Sequence, residues 1–301
     1  MTCKTLSALA SRLIFTAHGF LLVWIVVHIK GDDSYYWLLL IGLGLLYLEM
    51  PITLRCTKKG EWKWFSPMVF LYLCTSIPSV ALLELELLNR RSSSRNSSST
   101  QTSCNTTEDG EFGLSNWVKG LEQIMLLILV IVRWLMPKGE MTRDQLSQLL
   151  LVYIGMGADI MDILEVFTEP EVETNMNITI TGLALFSWAL MQFTLVLTQT
   201  DSPPASAPNR SVVSLEDSES PAIDPEPKAG CCRGSSCCIN EVWGLAIAVG
   251  MQDGPFLIFR LYLMLHEKVL NQMMIFFAVK NVLTVLIEIY RIVVVQCSRR
   301  S

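Results

Sequence analysis

Charge is scarce in this chain. Only 17% of its 301 residues are Asp, Glu, Lys or Arg, against roughly 25% in an average soluble protein. Histidine is nearly missing, with three copies, so a His-built metal site has too few ligands. The net charge is −5 and no basic face or nucleic-acid motif accompanies it, which excludes nucleic acid as a partner. The sequence also lacks a Ser/His/Asp constellation, a phosphate-binding loop and a nucleotide motif, so it reads as a non-enzyme without a cofactor, and no small-molecule ligand can be identified. A cleavable signal peptide is missing too. The first apolar segment is too long, Arg12 and His18 interrupt it, and no small-residue cleavage site follows. It reads as a retained signal anchor.

What remains is apolar. Hydrophobic residues make up 51% of the chain and the mean hydropathy is +0.42. They gather in eight segments, near 6–28, 35–54, 66–88, 117–137, 145–167, 178–199, 241–264 and 273–296. Runs of about twenty residues cross a ~30 Å hydrocarbon layer as helices at ~1.5 Å per residue. Lipid tolerates no open sheet edge. The expected fold is therefore an all-α, polytopic membrane bundle of about eight transmembrane helices, with the lipid bilayer as its surroundings and any protein partner unknown.

Orientation follows from Lys and Arg outside these segments. With the N-terminus inside, the cytoplasmic side collects Lys4, the group Arg55, Lys58, Lys59 and Lys63, then Lys138, Arg143, Arg210, Lys228, Arg233, Arg299 and Arg300. The outer side collects Lys30, Arg90, Arg91, Arg95 and Lys268. Twelve against five places both termini in the cytoplasm, with the chain in the secretory pathway or plasma membrane. Glycosylation sequons stand at Asn96, Asn105, Asn177 and Asn209. This orientation puts Asn209 inside and Asn177 too near a span, leaving Asn96 and Asn105 as the expected glycan carriers.

The loops 89–116 and 200–240 are poor in apolar residues and rich in Ser with Thr, or Pro and acid, so they read as disordered. Ser214, with Asp217 three residues on, fits an acid-directed kinase. The second loop ends in CCRGSSCC, placing Cys231, Cys232, Cys237 and Cys238 beside the seventh segment. Juxtamembrane cysteines suit palmitoylation; an inert or redox-labile cluster and a zinc site are the alternatives, the last with spacing unlike the usual C-x₂₋₄-C. Cys104 alone faces the oxidising side, so no disulfide framework is expected. Thr142 to Gln145 has the form of a capping box opening the fifth helix.

Ionisable residues within the apolar segments carry the most information. Each costs about 2.5–3.5 kcal/mol at mid-helix and turns toward the bundle interior. By helix rise, an outer-half layer holds Asp159, Asp162, Glu165, Arg260, Lys280 and Glu84, with Asp253 near mid-membrane. An inner-half layer holds Arg12, Glu49, Arg133, Glu288 and Arg291, with His18 nearer the middle. Asp159, Asp162 and Glu165 share one side of a helix. The expected partners are the segment-five carboxylates with Lys280 or Arg260, and Glu49 or Glu288 with Arg12 or Arg133. Glu84, Glu165, Arg133 and Arg291 stand near enough to an interface to snorkel. The seventh segment carries GMQDGPFLIFR, where Gly250, Gly254 and Pro255 break the helix around Asp253. Such a break beside a carboxylate resembles the discontinuous helices of transporters. A charge network that only fixes helix register is the alternative. Gly155 to Asp159 approaches the GxGD pattern of intramembrane aspartyl proteases, but one residue is inserted and no Tyr-Asp partner exists. Asp159, Asp162 and Glu165 lack the His cluster that a metal would need.

Four strings stand out together: KWFSPMVFLYL (63–73), RWLMPKGEMTRDQLSQLLL (133–151), QDGPFLIFRL (252–261) and NQMMIFFAVKN (271–281). In this order they resemble the transmembrane protein 26 family across the membrane-spanning body, roughly 6–88 and 117–297. The resemblance implies a multi-pass membrane protein without an established molecular activity. The Cys-rich loop and the short tail after Cys297 depart from the family's pattern. Two functional classes follow from the residues: a protein acting through a buried intramembrane polar site, as a solute or ion pathway or a ligand-sensitive bundle, and a membrane scaffold working through its loops.

Overall fold

The computed structural model describes residues 3–56, 65–97, 108–136, 143–169, 172, 175–195, 246–247 and 249–300. Among them are eight α-helices in chain order: α1 Cys3–Lys30, α2 Leu45–Cys56, α3 Pro67–Ser97, α4 Glu108–Leu135, α5 Arg143–Glu165, α6 Met176–Leu190, α7 Gly254–Leu265 and α8 Gln272–Arg300. A π-helical stretch, Leu39–Gly44, leads into α2, and a second, Val249–Asp253, leads into α7. The described residues contain no strand, only a single bridge between Phe65 and Leu195. The chain is a polytopic all-α bundle.

Among the described residues six segments, of the eight expected, have the length and hydropathy to cross a bilayer: Thr5–Lys30, Asp33–Thr53, Pro67–Ser93, Leu146–Glu165, Met176–Thr194 and Gln272–Val294. Helix α4 is as long as α1, at 28 residues, but carries Lys119, Glu122 and Arg133 in its apolar part. Its two faces differ in character. Val118, Leu121, Met125, Leu129 and Val132 are buried, and so are the polar Glu122 and Arg133; the outward residues are Trp117, Ile124, Leu127, Ile131 and Trp134. Polar groups inside and large apolar groups outside is the inverse of a soluble helix, and it is the arrangement hydrocarbon demands.

The core runs through α1, α3, α4, α5 and α6, where Phe15, Leu22, Tyr72, Leu73, Met125, Leu149, Ile160 and Phe186 are fully enclosed. Helix α1 packs against α3 and α4, and α5 against α4 and α6. Phe15 stacks on Tyr72 with ring centroids 4.1 Å apart. Helix α8 is the least buried of the six spans and rests on α7 and the π turn before it.

Helix ends have local causes. Gly31 closes α1 with φ +68°, its N–H donating to the Val27 carbonyl at 2.8 Å, a left-handed cap that glycine adopts without strain. In the following turn, the Asp32 carboxylate accepts from the Ser34 N–H at 2.9 Å, a bond that holds its carboxyl below the usual range. Asn175 caps α6 through the Asn177 N–H, so Asn177 lies in that helix's first turn. Lys268 takes φ +58° after α7 while the Val269 N–H reaches the Leu263 carbonyl at 3.2 Å.

Helix α3 extends nine residues past its expected end at 88, to Ser97, and α4 begins at Glu108, both inside the segment expected to be irregular. Polar side chains continue the helix where apolar ones stop. Arg90 pairs with Glu86 at 3.2 Å (i,i+4), Lys30 reaches the same carboxylate at 2.8 Å, and Ser93 donates to the Asn89 carbonyl. The backbone of Asn96 is therefore helical. Asn105, Thr142, Ser214 and the cysteines Cys231, Cys232, Cys237 and Cys238 lie outside the described residues.

Candidate functional site

Helix α5 presents Asp159 and Asp162 one turn apart, toward α7 and α8. Asp159 Oδ1 pairs with Lys280 Nζ of α8, and its Oδ2 accepts from Gln252 Nε2 at 3.1 Å. Asp162 pairs with Arg260 of α7. The Arg260 side chain has no exposed surface. Its guanidinium lies 5.2 Å from the Phe277 ring centroid and 5.9 Å from that of Phe256. Lys280 Nζ lies 5.9 Å from the same Phe277, so one aromatic ring holds both cations in place. The five residues Asp159, Asp162, Asp253, Arg260 and Lys280 come together as one cluster.

Asp253 is the last residue of the π turn and the N-cap of α7. The turn needs Gly254, because a Cβ there would stand 2.7 Å from the Val249 carbonyl oxygen. Pro255, in the first turn of α7, has no N–H to leave unsatisfied. The seventh helix is thus interrupted where its sequence suggests, by one extra residue per turn. Among the described residues the Asp253 carboxylate makes no hydrogen bond, but it is buried and its charge interacts with those of Asp159, Lys280 and Arg260.

The cluster holds three carboxylates and two cations. Glu288, two turns further along α8, interacts electrostatically with Asp253 and adds a fourth carboxyl. Several buried polar atoms here have no hydrogen-bond partner: Arg260 Nε and Nη1, both amide atoms of Asn281, and Glu288 Oε2. Buried polar groups in folded proteins almost always bond to protein or to ordered water. Arg12 Nε, Gln192 Oε1 and the Ser66 hydroxyl also lack a hydrogen-bond partner, so unpartnered polar atoms occur through the bundle and the excess of carboxylate is what sets this cluster apart.

The inner layer separates into parts. Arg12 pairs with Glu49 at 2.6 Å and donates a second bond to the Ala8 carbonyl at 3.0 Å, while Thr53 Oγ1 donates to Glu49. Glu288 belongs with Asp253 instead of Arg12, because α8 contacts α7 and the π turn. Arg133 is buried on α4 and does not snorkel; Glu84, also expected at an interface, is buried too. Both face neighbouring helices, which cover them. Arg291 is exposed on α8 and Glu165 on α5.

Two further polar residues lie inside the bundle: His18, which helix rise already places near mid-membrane, and Glu122, which a survey of charges by depth misses. His18 is buried between α1, α3 and α4. Its Nε2–H donates to the Leu121 carbonyl at 3.1 Å and its Nδ1 accepts from the Tyr72 hydroxyl at 2.8 Å. A carbonyl only accepts, which fixes the tautomer, and the ring is a structural tie. Glu122 is the second. It is 3% exposed and stands beside Glu84; the signal for it was an acid three residues after Lys119 inside an apolar segment.

No solved structure matches the chain. A family profile described as transmembrane protein 26 matches residues 2–291, from the start of α1 through most of α8. That span carries all of the cluster residues and both π turns, and the chain belongs to the transmembrane protein 26 family.

Proposed function

We propose that the chain handles protons or small cations through the Asp159–Asp162–Asp253–Arg260–Lys280 cluster, as an ion pathway and not as an enzyme. The observation that carries this reading is the buried excess of carboxylate over cation, set against an interrupted helix. An unbalanced negative charge in hydrocarbon is costly and is relieved by a proton or a cation. Carboxyl groups also follow one another through the bundle: Glu165 and Asp159 act electrostatically on Asp162, Asp159 on Asp253, and Asp253 on Glu288. Chains of this kind mark proton relays and ion routes in membranes. Both termini face the cytoplasm in this reading, on the charge bias of the loops, with glycans at Asn96 and Asn105 and acylation at the CCRGSSCC cluster.

The saturated pairing of Asp159 favours a second reading, a scaffold whose charges fix helix register. Proteoliposomes containing the full chain separate the two. Under an imposed pH gradient, the pathway predicts ion or proton flux that Asp253→Asn removes while the protein folds and inserts normally. A scaffold predicts no flux above empty vesicles in either protein.

A further inference from the structure

A second polar site lies at one end of the bundle, formed by α3, α4 and α5 and apart from the α5/α7/α8 cluster. Glu84 of α3 and Glu122 of α4 bring their carboxyl groups within hydrogen-bonding reach of each other. They are 4% and 3% exposed, and both line a cavity of about 200 Å³, several times the roughly 30 Å³ that a liquid water occupies. Glu122 Oε1 has no hydrogen-bond partner, so a buried acceptor in the wall of this cavity awaits a donor. Two carboxyl groups this close do not both ionise without strong repulsion.

The charges that act on the pair are those of Arg91 and Lys119, and both residues line the cavity with Glu165. Arg91 also donates to the Phe167 carbonyl and to Ser115 Oγ, each at 3.4 Å. From α1, His18 is tied to the Leu121 carbonyl and Tyr72, and Lys30 is held by Glu86; α6 brings no charged residue. Among the described residues lining the cavity, three carboxyls face two cations, and one proton on the Glu84–Glu122 pair makes the set neutral. A bound monovalent cation makes it neutral equally well. The rest of the wall is apolar, with Met161, Leu164 and Phe167.

We propose that this cavity binds a small primary ammonium compound, whose –NH₃⁺ replaces the proton shared by Glu84 and Glu122. The ammonium supplies three N–H donors, one of them for Glu122 Oε1, and the apolar wall takes a short alkyl chain. Charge balances in the exchange: one cation enters and one proton leaves to solvent. Glu165 is shared with the carboxyl series of the proposed pathway, but the binding pair Glu84 and Glu122 is not part of it, so the two readings fail separately.

Isothermal titration calorimetry of the full chain in lipid nanodiscs tests this, with n-butylammonium as the probe and Na⁺ and K⁺ as competitors, at several pH values and in two buffers of different ionisation enthalpy. The expected result is saturable binding of butylammonium with one proton released. Affinity then rises about tenfold per pH unit while the pair holds its proton. Glu122→Gln and Glu84→Gln each weaken binding at least tenfold and abolish proton release. Glu165→Gln, at an exposed position that leaves the buried pair intact, weakens binding about threefold and keeps the proton release. Asp253→Asn binds as the wild type does. No saturable binding of butylammonium, binding without proton release, displacement by equal concentrations of Na⁺ or K⁺, or unchanged affinity in Glu122→Gln and Glu165→Gln would overturn the proposal.

Discussion

The Arg12–Glu49 pair and the Asp159–Lys280 cluster use the same side-chain chemistry to opposite ends. The first is one cation on one carboxylate, with Ala8 and Thr53 supplying further bonds and side-chain exposures of 6% and 11%. Its charge closes on itself. The second has three carboxylates around two cations and a carboxylate at Asp253 without a hydrogen bond among the described residues; orphaned atoms do not separate the two, since Arg12 Nε lacks a partner as Arg260 Nε does. Both lie near a π-helical stretch, Leu39–Gly44 before the helix of Glu49 and Val249–Asp253 before α7, but only the second places a carboxylate, Asp253, within the stretch itself. A balanced pair joins helices. An unbalanced cluster on an interrupted helix is where the proposed pathway would take a proton or cation.

That difference can be broken by substitution. The largest loss of stability is expected from Arg12→Ala, which strands Glu49 in the bundle and costs about 3–5 kcal/mol. The double variant Arg12→Ala/Glu49→Ala recovers most of it, and a denaturation series in detergent reads both. Next comes Gly254→Ala. Its new methyl meets the Val249 carbonyl oxygen, so the π turn must shift, at a cost of about 1–3 kcal/mol, and flux falls with it. Tyr72→Phe removes one hydrogen bond to His18 and costs about 1 kcal/mol without touching flux, because that tie belongs to the structural side of the comparison. Asp253→Asn is expected to change the unfolding midpoint least, since no hydrogen bond or ion pair is lost with it.

Much of this was legible in the sequence because hydrocarbon penalises stray charge so heavily. Asp159, Asp162, Asp253, Arg260 and Lys280 were each conspicuous in an apolar run, and the bundle gathers them. Gly250, Gly254 and Pro255 announced the break beside Asp253. Partner choice was less legible. Helix rise gives depth but not azimuth, so Glu288 was grouped with Arg12 at a similar depth although α8 lies against α7. Position along a helix puts Glu84 and Arg133 near an interface but does not say whether a neighbouring helix covers them. Helix α3 outran its apolar run because Glu86, Arg90, Ser93 and Asn89 satisfy one another locally, a stabilisation that hydropathy does not register. The Glu84–Glu122 cavity was invisible for a further reason: two acids on different helices become a pair only when packing brings them together.

The most direct test of the central claim is a paired measurement on Asp253→Asn: ion or proton flux in proteoliposomes under an imposed pH gradient, and the unfolding midpoint of the same preparation. The account predicts flux lost with the unfolding free energy drawn from that midpoint within about 1 kcal/mol of the wild type. Flux that persists in Asp253→Asn, or a wild-type protein no more permeable than empty vesicles, would contradict it.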